Sequence, residues 1–537
     1  MKPYRHILLC LWLAVASTHA TVTPDCADSC LLGTSGETPI CEIWDSSSQS
    51  WSTDAFVTGP GAMHNLARDY TRWLHAWMMP AGGVTSTLFA DPALDRVREY
   101  GGRRDSAIWT GTYLAAEALH FMATGSPDAS RWMRETLGTL HRWWNIPGDP
   151  GYLARYAAPA DSPQPILNLL PAEDPEVHRN VTYAGSTWHW RGNISRDQYQ
   201  GVLLGYSLAY TATRSPALRE TIRSDVVTFV EQLMSSDRRE VALRLDGVTL
   251  SSTVRIPYAV FSEAEMPSGR PMLTLQTNPF EASGEGVLFF TPDAAELIRQ
   301  LPGFGRFSSL PLPTQAIQLG AIFRIALQVT DGVPDYAARR QAIAEHYRQH
   351  VGEWLDIAAD WENSNDCDQG YFGLNIGFMP LYSWIRLETD PAIKTRLQRE
   401  VLRDALWAEV ADHKNVFFAF IYASQAAAGD ASRDLIAANA AQLARFPIAP
   451  NLAKGRDLRG IYPESEECPG ISAVAVDVDE RVPATFVWER HPWKLYDAGT
   501  PNLVYPGIDY LMAYWMGRYY GFIADDAPGT CLLWRPK

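Results

Sequence analysis

The sequence predicts a mainly α-helical chain, an (α/α)6 barrel of helical hairpins with β-hairpin and irregular loop insertions. Two observations carry this. Between about Met63 and Gly521, nearly charge-free helical segments alternate with segments whose apolar residues recur at three-and-four spacing among charges. A helix apolar almost all round must be buried on most sides, whereas one with a single apolar stripe lies at a surface. The second observation is that several connections between the two kinds are short, so about a dozen helices pair into about six hairpins in two layers. Closed into a barrel, the inner helices all run one way and their N-termini open at one end.

In chain order, Lys2 and Arg5 precede an apolar run from Ile7 to Val15 and then Ser17, Thr18, His19 and Ala20, the order of a secretory signal peptide over residues 1–20. Export to a secreted or periplasmic location is therefore expected. Residues 21–60 read as an N-terminal extension stapled by disulfides, because six cysteines follow the leader: Cys26, Cys30, Cys41, Cys367, Cys468 and Cys531. Zinc is disfavoured, since no CxxC or paired Cys/His spacing occurs. Residues 61–537 form the barrel. Its charge-free segments are Ala107–Thr124, Tyr199–Thr213, Tyr371–Ile385, Val416–Ala428 and Ile508–Tyr520, and its amphipathic ones Ser130–Trp144, Ala217–Met234, Asp335–Leu355 and Pro391–Val410. Insertions interrupt at 146–194, which contains Trp188-His189-Trp190-Arg191, at 240–313 and at 446–505, with short strands expected around Val474 and Phe486. In the second insertion, Val241, Leu243 and Leu245 alternate before Asp246-Gly247, Val248 and Leu250, a β-hairpin signal. Glycines four apart (Gly201 with Gly205, Gly373 with Gly377, Gly517 with Gly521) suggest close helix contact.

Composition excludes some function classes. The 537 residues carry 46 Lys and Arg against 61 Asp and Glu, a net charge of −15, and no basic run of five, so a nucleic-acid binder is disfavoured. No stretch after the leader reaches about 18 uninterrupted apolar residues, so the chain is not expected to be membrane-embedded. P-loop, HExxH, GxSxG and dinucleotide motifs are absent.

What remains is a set of polar residues at the starts of the buried helices: Asp105, Asp197, Asp368, His413 and Asp509. A cavity ringed by carboxylates and lined by aromatics suits carbohydrate, and paired carboxylates are what glycoside cleavage needs. Asp105 and Asp197 are thus the catalytic candidates, with Asp197 as general acid and Asp105 as base or nucleophile. Arg104, Trp109, Trp188, His189, Arg191, Tyr199, Asp368 and His413 are the candidates for binding sugar. Each Asp also has a plain structural role open to it. Ser195-Arg196-Asp197-Gln198 fits a capping box, and Asp105 fits an N-cap. Asn365, Asp366 and Asp368 offer oxygen ligands to calcium without the EF-hand spacing, so no cofactor or metal is assigned and Asp368 reads as a cap or substrate ligand. His346 and His350 share a face of an outer helix and read as a solvated pair.

The helix alternation, together with Arg104-Asp105-Ser106-Ala107-Ile108-Trp109-Thr110-Gly111, Ser195-Arg196-Asp197-Gln198-Tyr199 and Tyr505-Pro506-Gly507-Ile508-Asp509-Tyr510, resembles the six-hairpin glycosidase superfamily of (α/α)6 barrels. That superfamily includes unsaturated-uronyl hydrolases and polysaccharide lyases. The resemblance implies a cavity acting on poly- or oligosaccharide and leaves the reaction open. A glycoside hydrolase is the first expectation. A lyase using His189 or His413 with Tyr199, and Arg104 or Arg191, is the second. A non-catalytic saccharide-binding or surface-structural protein is the third. The acidic net charge favours a neutral glycan.

Overall fold

The computed structural model describes residues 62–235, 237–245, 248–265, 283–284, 286–301, 303–362 and 371–523. The leader, the extension to residue 60, Asn365, Asp366, Asp368, the Asp246-Gly247 turn and every cysteine except Cys468 lie outside these residues.

The long helices are α1 (Ala62–Trp77), α2 (Ser106–Thr124), α3 (Pro127–Asn145), α4 (Arg196–Ala212), α5 (Pro216–Met234), α6 (Pro313–Val329), α7 (Ala337–Ala359), α8 (Phe372–Leu387), α9 (Pro391–Arg396, continuing as the π-helix Leu397–Trp407), α10 (Val416–Gln425), α11 (Arg433–Ala444) and α12 (Ile508–Tyr519). Helices α2, α4, α6, α8, α10 and α12 touch in that cyclic order, α12 closing on α2, and form an inner ring. Each is followed by its outer partner, α3, α5, α7, α9 and α11, while α1 serves α12 from the other end of the chain. The structure is therefore the expected helical barrel, and it adds α6, an inner helix whose Pro-Thr-Gln start had not stood out in the sequence.

The inner helices are apolar because they have no solvent side: from Ser106 to Leu119 every residue of α2 is buried. Burying each large aliphatic or aromatic side chain contributes about 1.5–3 kcal/mol, so the ring is held chiefly by its own apolar surface. Packing is closest between α2 and α4. A Cβ on Gly201 would lie 2.1 Å from the Ile108 carbonyl oxygen, and one on Gly205 2.4 Å from that of Gly111. In the other two pairs one member alone makes a close helix contact: a Cβ on Gly377 would lie 3.0 Å from Leu406 of α9 and one on Gly517 2.9 Å from Phe420 of α10, whereas a Cβ on Gly373 meets nothing within 4 Å and Gly521 is a left-handed residue beyond α12.

The connections sort the barrel into two poles. After the C-terminal ends of α2, α4, α6, α8 and α10 the chain turns back quickly, as at Gly125-Ser126, where Ser126 Oγ caps α3 by accepting from the Ala129 N–H, and at Ser215, Asp390 and Ser432, which cap α5, α9 and α11. The long connections all lead into inner-helix N-termini. The 146–194 insertion folds into a sheet in which Ser186–Arg191 lies between Tyr156–Pro159 and Val177–Tyr183. The expected hairpin pairs Asp237–Leu245 with Val248–Ile256, Leu245 opposite Val248. In the third insertion the strands are not at Val474 or Phe486. They fall at Asn451–Leu452, Arg456–Asp457, Tyr496–Asp497 and Leu503–Tyr505, and the last pairs with Ser86–Phe89. That sheet ties the entry to α2 to the entry to α12.

Candidate functional site

Asp105 and Asp197 meet at the pole of long connections. Asp105 precedes the first turn of α2, and its side chain makes no capping bond. Ser195 and Gln198 do not close a capping box either. The Gln198 side chain reaches across to the neighbouring helix, where its Oε1 accepts from the Ile108 N–H at 3.0 Å. Its Nε2 donates to Asp197 Oδ2 at 3.0 Å and to Asp105 Oδ1 at 3.3 Å. Those two bonds hold Asp197 Oδ2 and Asp105 Oδ1 no more than 6.3 Å apart, below the upper limit of roughly 9.5 Å for a carboxylate pair that cleaves a glycoside. Arg155, overlooked in the sequence, braces this corner: its Nε donates to the Asn193 carbonyl at 2.5 Å and Nη2 to Ser195 Oγ at 2.9 Å, and Nη1 binds the Arg104 carbonyl and stands 3.8 Å from Asp105 Oδ1.

A third carboxylate, Glu489, joins them from the 446–505 insertion. It ends the short 3-10 turn Val487–Glu489, and its side chain is only 13% exposed. Burial pushes its carboxyl up to about 8; Arg490, 3.1 Å away, draws it down, and the charges of Asp105 and Asp197 push it further up. The Asp105 carboxyl is raised as well, first by partial desolvation and then by Asp197, with Arg155, Arg490 and the Gln198 amide opposing. Glu489 follows Phe486-Val487-Trp488, and an acidic residue closing an aromatic and apolar run inside a long insertion was the signal available in the sequence.

Two inner helices aim this turn. Asp509, fully buried in the first turn of α12, accepts from the Val487 N–H at 3.1 Å through Oδ2 and from the Tyr510 N–H at 3.0 Å through Oδ1, and its carbonyl takes the Trp488 indole N–H at 2.9 Å. Burial pushes its carboxyl up to about 7 against those donors. Asn415 caps α10 by accepting from the Phe418 N–H, and its amide donates to the Trp488 carbonyl at 2.8 Å. Asp509 is thus a positioning residue and does not line the mouth as expected. Replacing it by Asn retains the acceptor oxygen toward Val487 and removes the buried charge, so protein of normal fold and near-normal Glu489 behaviour is expected. Asp509→Ala should release the turn, move the alkaline limb of any pH–activity profile below that of wild type as Glu489 gains solvent, and lower kcat about 10-fold or more. A paired pH–rate measurement on the two variants checks this.

The other candidates are dispersed. Trp109 is 3% exposed and stacks on Phe486 at 4.9 Å, so it supports the Glu489 turn from below and offers no ring face to sugar. Trp188 is covered by the Arg142 guanidinium, 4.5 Å from its ring. His189 is buried, its Nδ1 accepting from the Asn180 N–H. Arg191 is fully buried and paired with Asp174 and Glu176. Tyr199, also buried, donates its hydroxyl to the Gly151 carbonyl and accepts from the Leu153 N–H. Central placement of the 186–191 strand explains the corrections at His189 and Arg191, which share one face of it, because alternate side chains of a strand point to the same layer; Trp109 and Tyr199 are buried by the packing of α2 and α4 in the inner ring. Arg104 is 64% exposed beside Glu176 at 3.5 Å. His413 lies two residues before the Asn415 cap. Burial lowers its ring to about 4, and it packs edge-on against Trp493 at 4.6 Å. Asp368 lies outside the described residues. His346 and His350 are not a solvated pair: His346 bonds to the Tyr258 hydroxyl at 2.9 Å and stacks on Phe323. Among the described residues no group of three metal-ligating side chains occurs, and no helix is long and apolar enough to cross a membrane.

Fold and site together define a helical barrel whose mouth holds three carboxylates, one of them fed in by a long insertion. No family model and no curated protein matches the chain. A solved structure similar to it is that of a cellobiose 2-epimerase from Spirochaeta thermophila DSM 6192, at 11% identity over 65% of this chain and 86% of that one, with a TM-score of 0.24. At that level the reaction has to be read from the residues of the mouth.

Proposed function

We propose that the protein is an exported glycoside hydrolase acting on poly- or oligosaccharide, with Glu489 as general acid and Asp105, supported by Asp197, as base. The single observation that supports it best is a carboxyl raised to about 8 beside two further carboxylates at the open pole. Glu489 holds its proton at neutral pH, whereas Arg155 and Gln198 favour the ionised form of Asp105. Glu489 gives its proton to the glycosidic oxygen as the C–O bond breaks. A water that loses its proton to Asp105 adds to the anomeric carbon, so each cut consumes one water. Export rests on the leader-like residues 1–20. The named lyase set has less support, since Tyr199 and Arg191 are spent on buried partners away from this corner.

The test is the mass of products from a panel of neutral and uronate polysaccharides. Fragments heavier by one water per cut, reduced at least 100-fold in Asp105→Asn, are expected. Fragments without added water would mean a lyase, and binding without fragments a non-catalytic saccharide-binding protein.

A further inference from the structure

Beyond Glu489 the 446–505 insertion encloses a cavity of about 390 Å³ whose lining includes Arg481, Arg490, His491, Lys494 and Tyr505. Its size lies within the range of ligand clefts. Val487 and Arg490 also line it, so it adjoins the turn that carries the third carboxylate. Arg481 is the informative residue. It is 4% exposed, lies over the Trp488 ring at 5.7 Å, and donates only to backbone carbonyls: Nε to Val476, and Nη2 to His413 at 2.6 Å and Lys414 at 3.0 Å. Its Nη1 is buried without a partner, and among the described residues no carboxylate pairs with it. Asp477, the acidic residue whose charge it senses, is already held by Lys414 at 2.6 Å and Arg445 at 3.2 Å. A buried cation without a counter-charge is costly unless an anion completes it.

We infer that this cavity is an anion subsite, and that the saccharide carries a carboxylate or equivalent anionic substituent which the Arg481 guanidinium receives, with Arg490, paired with Glu489 at 3.1 Å, and Lys494, paired with Asp497 at 2.6 Å, at its edge. This rests on the hydrolase reading and names its substrate class. The net charge of −15 argues for a neutral glycan, but at physiological salt charges beyond about 8 Å are screened, so the uncompensated Arg481 inside the cavity decides. The inference uses no residue of the catalytic proton transfers, which permits a separate readout.

The test is calorimetric titration of wild type, Glu489→Gln, Arg481→Gln and Lys494→Gln with glucuronate, glucose and inorganic sulfate, with circular dichroism verifying the fold. Glucuronate should bind wild type at least 10-fold tighter than glucose and should still bind Glu489→Gln, which lacks the proposed acid. It should bind Arg481→Gln at least 10-fold more weakly and Lys494→Gln about threefold more weakly. If Arg481→Gln does not fold, Lys494→Gln carries the decision. Equal affinity for glucuronate and glucose, or unchanged glucuronate binding in the folded variants, overturns the inference. So does sulfate binding as tightly as glucuronate, which would mark a site for a free anion. Failure of hydrolysis with this pattern intact would remove the hydrolase reading alone.

Discussion

Glu489→Gln is expected to abolish most turnover, by about 10²- to 10⁴-fold, with the fold intact. The amide keeps the shape of the protonated carboxyl and cannot donate its proton. In wild type the same group sets the alkaline limb: activity should fall as pH rises through about 8, because the acid ionises there. The substitution acts on stability in the opposite direction. The Glu489 carboxyl is raised in the folded chain above the ordinary 4.5 of a glutamate, so its contribution is fully present below about pH 4.5 and is lost as pH climbs to about 8. Glu489→Gln should therefore be the more thermostable protein at pH 8 and show little difference at pH 4. Thermal melts at the two pH values, beside pH–rate profiles, check both halves. A variant that stays active, or an alkaline limb unchanged by removal of the carboxyl, would take the acid role from Glu489.

Gly201→Ala is expected to be the most damaging of small substitutions. Its Cβ would stand 2.1 Å from the Ile108 carbonyl oxygen, a backbone atom that no rotamer change can move. Helices α2 and α4 would have to separate, at a cost of about 3 kcal/mol or more, the upper range of overpacking. Separation would also stretch the Gln198 bridge, which spans the same two helices one turn above, so turnover should fall with stability. The contrasting substitution is Gly138→Ala on the outer helix α3, where a Cβ meets nothing within 4 Å. It should be neutral or stabilising by about 0.5–1 kcal/mol. Denaturant melts of the two variants, with activity measured on the folded fraction, test this.

How much of the site was legible differs by residue. Asp105 and Asp197 could be picked out because each begins a charge-free helix, and in a ring of such helices N-termini share one pole. Whether they were caps could not be read: Ser195-Arg196-Asp197-Gln198 spells a capping box, yet Gln198 serves the neighbouring helix, a choice made by the approach of α4 to Ile108. The aromatic and basic residues Trp188, His189 and Arg191 stand out by their clustering, but a strand paired on both sides buries His189 and Arg191 and leaves Trp188 half-buried under the Arg142 guanidinium. Glu489 and Arg481 are not legible in the sequence, because irregular segments carry no periodicity from which burial can be inferred, and an acidic or basic residue there reads as solvated.

The sequence by itself determined the class of fold, since the alternation of all-apolar and one-faced helices dictates two layers and short returns dictate hairpins. It also determined which residues begin α2, α4 and α12, though not the start of α6. The tertiary structure decided which of those residues meet, which aromatics lie under the mouth, and which charges lose their water. Those outcomes depend on contacts between segments tens to hundreds of residues apart, such as Gln198 with Asp105 and Asp509 with Val487. Periodicity records the burial of a face, whereas a shifted carboxyl or an uncompensated guanidinium is created by whatever the fold places against it.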